Sequence, residues 1–162
     1  MRNLALAVVL ALAVAPAAAA ATFSFSVVTS SPVTAPGVTL TGDDQSKTFT
    51  IVTQVAYTGT SNTAGWNVQA SATTPTSGTY TLPALQVTAG TFTCVTSCTT
   101  NPTNGITYPI TLSGTAQKIY NAAVNTGRGT FNVTNTYQVT YTAMAIVGTY
   151  TSTVTLTGTT GP

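Results

Sequence analysis

Apolar side chains recur at every second position through most of the chain beyond residue 21. In residues 22–28, Phe23, Phe25 and Val27 fall on one side. Residues 48–57 put Phe49, Ile51, Val55 and Tyr57 on one face and mostly polar residues on the other. Trp66, Val68 and Ala70 share a face, and residues 129–141 align Phe131, Val133, Tyr137, Val139 and Tyr141, with Asn135 interrupting the stripe. Tyr150, Val154 and Leu156 line up in residues 148–157. A period of two marks half-buried antiparallel strands. Gly, Pro, Asn and Ser collect between these runs, at 30–37, 58–65, 74–78 and 99–105, as turns require. The expected fold class is all-β, a single antiparallel β-sandwich. Only residues 117–125, with Ile119, Tyr120 and Val124, fit a turn of helix as well as an irregular crossing. No strict internal repeat calls for a solenoid.

The opening residues have a different pattern. Arg2 gives a positive start, residues 4–14 form a short apolar run, and Pro16 ends it. Small residues Ala17, Ala19 and Ala21 then offer cleavage sites, so residues 1–21 are expected to be a signal peptide. The run is shorter than the ~20 residues a membrane-spanning helix needs. Residues 22–162 are expected to form one domain, secreted and extracellular or wall-associated, with no membrane contact in the mature form. The closing residues carry no sorting tail or lipidation motif, so attachment to a surface is expected to be non-covalent or through a partner.

Composition narrows the chemistry. Only 4% of residues are charged, and roughly a quarter are Thr, far above ordinary usage. Thr favours extended backbone and wets a sheet without charge. Beyond the signal, Lys47, Lys118 and Arg128 stand against Asp43 and Asp44. That leaves no basic patch for nucleic acid. A surface so nearly neutral favours contact with neutral polymers, with other surface proteins, or with itself.

The chain has no histidine and no glutamate, which removes the usual general base, zinc ligand and triad partner. Asp43 and Asp44 are adjacent, so on a strand they point apart and cannot flank one bond as a glycosidase pair does. Two carboxylates from one turn are also too few for a good Ca²⁺ site. No S-x-x-K stands in the chain to suggest a Ser–Lys dyad. The expectation is a protein without catalytic residues, metal or cofactor. Asn132, Val133 and Thr134 match a glycosylation sequon, read as chance within a bacterial strand.

Cys94 and Cys98, the only cysteines, are expected to pair in an exported chain. Their spacing is not the CxxC of redox proteins, and no nearby charge would lower a thiol pKa. Trp66, the only tryptophan, admits two readings. It is a core anchor, or its ring stacks on a ligand such as a sugar face.

Gly65-Trp66-Asn67-Val68, followed by Gln69-Ala70-Ser71-Ala72, resembles the first motif of the WxL domain of Gram-positive surface proteins. The run from Gly148 to Leu156 is similar to that domain's closing strand. Segments 38–42, 101–104 and 121–127 are similar to actinobacterial members, so the resemblance covers nearly all of residues 22–162. It implies a β-sandwich that binds peptidoglycan non-covalently. Two Trp-x-Leu motifs are the family's hallmark. Here the first reads Trp66-Asn67-Val68, and in the second Leu156 stands in place of Trp and Gly158 in place of Leu. Trp66, Val68 and Leu156 are thus the candidate wall-contact residues. The alternative expectation is a structural subunit of an extracellular fibre or pilus-like assembly, pairing through sheet edges that few charges guard.

Overall fold

A computed structural model describes residues 22–58 and 64–162. The expected signal peptide, residues 1–21, lies outside the described residues, as does most of the turn expected at 58–65. Ten strands follow one another: β1 (Thr22–Val27), β2 (Gln45–Thr58), β3 (Trp66–Ala72), β4 (Thr76–Ser77), β5 (Tyr80–Thr81), β6 (Gln86–Thr100), β7 (Ile110–Thr111), β8 (Gln117–Ala122), β9 (Arg128–Tyr141) and β10 (Val154–Thr160). The fold is all-β, every pairing is antiparallel, and no described residue is helical. A five-stranded sheet runs β1-β2-β9-β6-β7 and curls as a half-barrel. A three-stranded sheet runs β10-β3-β8, and β4 and β5 form a small hairpin.

Alternation decides what each strand buries. Along β9 the inward residues Phe131, Val133, Asn135, Tyr137 and Val139 are buried, while Thr130, Asn132, Thr134, Thr136, Gln138 and Thr140 are half-exposed. The inward residues of β2, β3, β6, β8 and β9 join one core that spans both larger sheets. Trp66, Tyr120, Tyr137 and Phe131 are its largest fully buried side chains. Trp66 stacks on Tyr120 at 5.8 Å, and Phe49 on Tyr137 at 5.4 Å.

Residues 117–125 correct the helical alternative. They form β8 and the turn after it. The register against β3 pairs Val68 with Tyr120 and Gln69 with Lys118, which leaves Ile119 as an inserted residue. This is a β-bulge, and it turns Ile119 and Tyr120 inward together. Two consecutive buried residues erase the period of two and imitate a helical spacing.

β6, the longest strand at 15 residues, has no counterpart among the expected strands. Three register shifts interrupt its ladder with β9. The first two shifts each insert one residue and move the apolar positions to the other parity, so no continuous stripe survives in sequence. The widest shift lies between Thr96 and Thr100; the Cys94–Cys98 disulfide, with Cα atoms 6.0 Å apart, spans the shift before it and ends inside it. Ser97 takes a positive φ of 54° there. Gly129 faces this bulge, where a Cβ would sit 2.6 Å from the Cys98 Cα. The expected disulfide therefore clasps a bulge inside a long strand.

The closing strand begins later than expected. Residues 148–153 make only one isolated bridge, Thr151 to Thr76, and β10 proper starts at Val154.

Candidate functional site

The structure places the three candidate wall-contact residues on neighbouring strands. Trp66 and Val68 lie on β3, and Leu156 on β10 pairs with Ala70 two residues further along. Trp66 is 0% exposed, and its Nε1–H donates to the Gly127 carbonyl at 2.8 Å. Gly127 has a φ of +72°, and a Cβ there would sit 2.5 Å from Trp66 Nε1. The backbone thus closes over the indole in a way that only glycine permits. Val68 is equally buried, and Leu156 is half-buried. As folded, these residues present no aromatic ring to a ligand.

What the molecule does present is the outer face of the five-stranded sheet. Register sets its composition. Ser46, Thr48, Thr50, Val52, Gln54 and Ala56 of β2 stand beside Thr140, Gln138, Thr136, Thr134, Asn132 and Thr130 of β9. On the far side β6 adds Gln86, Ala89, Thr91, Thr93 and Thr96, and on the near side β1 adds Ser24 and Ser26. Neighbouring strands lie ~4.8 Å apart and same-face residues ~6.7 Å apart, so hydroxyls and amides form a two-dimensional array. No residue of that array carries a charge, and Arg128 stands at its end on the same face of β9, opposite Thr100.

Hydrogen bonds within the array orient part of it. Gln54 Nε2 donates to Asn132 Oδ1 at 3.1 Å, and Gln138 Nε2 donates to Ser46 Oγ at 3.2 Å. Ser46 Oγ also meets Thr140 Oγ1 at 3.1 Å. Each Thr hydroxyl can donate once and accept twice, and its methyl group offers an apolar contact beside it. Such a surface matches a neutral hydroxylated polymer, which also alternates hydroxyls with C–H faces.

The remaining chemistry-bearing groups serve structure. Asp44 Oδ1 accepts the Ala143 N–H at 2.7 Å and ties the turn before β2 to the segment after β9. Among the described residues no group of three or more His, Cys, Asp or Glu side chains comes together. Burial raises the phenols of Tyr120 and Tyr137 far above their ordinary value, and the charge of ionised Tyr108 raises them further. Tyr108 is itself raised by burial, against the lowering effect of its hydrogen bond with Asn104. Asn135, which breaks the apolar stripe in sequence, is 1% exposed. Its two amide atoms and the Tyr137 hydroxyl find no hydrogen-bond partner among the described residues.

Sequence reasoning missed the array. The Thr content was evident, but the array exists only once β2, β9 and β6 lie side by side, and β6 leaves no stripe to read. Comparison with protein-family models, with curated proteins and with solved structures finds no match.

Proposed function

We propose that the chain is a non-catalytic, secreted surface domain that associates non-covalently with the bacterial cell wall, holding neutral wall glycan against the outer face of its five-stranded sheet. The observation that carries this reading is the uncharged hydroxyl and amide array on β2, β9 and β6. A charged ligand would find nothing there to offset its desolvation. A glycan exchanges its water hydrogen bonds for hydroxyl and amide partners at little net cost. The resemblance of the Trp66 segment to the WxL domain supports the same class of partner, peptidoglycan. The indole then acts from inside the fold, as the anchor of β3 beneath Gly127.

Retention of the purified chain on wall sacculi tests the proposal. Thr134→Glu with Thr136→Glu places two carboxylates at the centre of the array on half-exposed positions. The pair is expected to weaken retention at least tenfold while the melting temperature stays near that of the unaltered chain. Failure of the unaltered chain to pellet with sacculi would overturn the reading, as would unaffected retention of the pair.

A second reading, the fibre subunit, rests on one observation. β1 covers only Thr53–Thr58 of β2, so among the described residues no strand pairs with residues 46–51 on the side away from β9. That open edge could accept a strand from another copy. Lys47 stands within it, and a lysine on an edge strand is a common guard against such pairing. This places the fibre behind the wall domain. Sedimentation that shows polymer without sacculi would reverse the order.

A further inference from the structure

We propose that the cleft between the two larger sheets, at the end of the molecule away from Trp66, binds a neutral amphiphile, with its apolar chain between the sheets and its uncharged head at the rim. The cleft encloses about 1540 Å³, above the ~300–1,000 Å³ of ordinary small-molecule pockets, so a long ligand suits it. Ile51 and Val139 of the large sheet, Leu82 and Leu85 before β6, and Leu156 of β10 line its walls.

Two irregular segments, 28–44 and 142–153, frame the mouth, and specific bonds hold them. The Tyr141 hydroxyl donates to the Pro36 carbonyl at 3.1 Å. The Tyr150 hydroxyl donates to the Ile146 carbonyl at 2.9 Å. With the Asp44 bond to Ala143, these contacts leave the mouth formed in advance.

Apolar side chains are concentrated at this rim and unusually uncovered. Met144 is 89% exposed and Val147 88%, and Val28, Val33 and Ile146 are exposed beside them. Clustered exposed apolar residues around a concavity mark a ligand or interaction site. Charge selects the occupant. None of the lining residues is charged, and the fixed charges next to the rim are the Asp43 and Asp44 carboxylates and Lys47, which pairs with Val139 on the same face of β2 as Phe49. A fatty acid would bring its carboxylate to a mouth where two like charges outnumber the single lysine. A glycerol or sugar head would meet the hydroxyls of Thr29, Ser31, Thr149 and Ser152 instead.

Nile red, an uncharged dye that brightens in apolar surroundings, serves as the probe on the purified chain. Saturable dye binding is expected, displaced by monoolein and at least tenfold less effectively by oleate, which has the same chain and a carboxylate head. Ala145→Trp and, separately, Ala35→Trp fill the cleft from its two framing segments, and each is expected to reduce dye binding at least tenfold. Absence of saturable binding overturns the proposal. So does equal displacement by oleate, or unchanged binding in both filled variants. Dye binding that falls as protein concentration rises, with a dimer in sedimentation, would show that a second copy covers the mouth and would also overturn it. Wall retention involves the opposite face of the large sheet, so the two proposals fail separately.

Discussion

The two ends of the molecule are built from the same alternating strands, yet one is closed and the other open. At the closed end Trp66 stacks on Tyr120, and two glycines let backbone approach side chain and neighbour. Gly127 caps the indole, and a Cβ on Gly65 would collide with the Ala122 carbonyl. At the open end the walls carry Val, Leu and Ile with the smaller rings of Phe49, Tyr141 and Tyr150, and long irregular segments replace tight turns. Alternation specifies which face of a strand is buried. How far apart two buried faces stand depends on the size of the side chains between them and on how closely the backbone can follow.

The largest effect is expected at the closed end. Trp66→Ala removes a fully buried indole, its stack on Tyr120 and its bond to Gly127. Loss of a large buried aromatic costs about 3–5 kcal/mol, a large share of the ~5–15 kcal/mol stability of a typical domain. Thermal melts of the variant should show a fall of many degrees, with reduced yield of folded protein. A melting temperature within a few degrees of the unaltered chain would mean that the closed end is not what holds the sheets together.

Much of this was legible in the sequence. The period of two located β3 through Trp66, Val68 and Ala70 and placed β2 and β9 within a few residues, because their apolar stripes are long and unbroken in parity. It failed where bulges shift parity. β8 lost its pattern to the inserted Ile119, and β6 to two one-residue shifts and to Gly90, which leaves room for the Tyr108 hydroxyl and Asn135. The cysteine pair was predictable from its count and from the expected export, and it is bonded. Its place across a bulge was not, because that depends on β9 as a partner. Neither the hydroxyl array nor the cleft belongs to any one segment. Both arise from the order of strands in space, which no local pattern records.

A smaller effect separates the interior from the surface by pH. The buried phenols of Tyr120 and Tyr137 are held protonated in the fold, whereas an unfolded tyrosine ionises near pH 10. Below about pH 10 both states keep these protons and the contribution to stability is fully present. Above it the unfolded chain releases protons that the folded chain retains, so stability falls as pH rises. Denaturant midpoints should therefore decline from pH 9 to pH 11. With no histidine in the chain, no imidazole adds a step between pH 5 and 8. A midpoint that holds level to pH 11 would mean that solvent reaches these phenols, and that the interior is looser than its packing implies.

The smallest effect is expected at the mouth of the open end. Val147 is 88% exposed and contributes no core contact in the folded chain. Val147→Ser should shift stability by no more than about 0.5 kcal/mol, as surface changes usually do. The same change removes apolar area from the rim and should lower any tendency to associate. Melting and sedimentation of the variant, set beside Trp66→Ala, measure both ends on one scale. A destabilisation of about 2 kcal/mol or more would mean that Val147 folds back over the cleft in solution. The open end would then be closed by its own rim, and the contrast between the two ends would vanish.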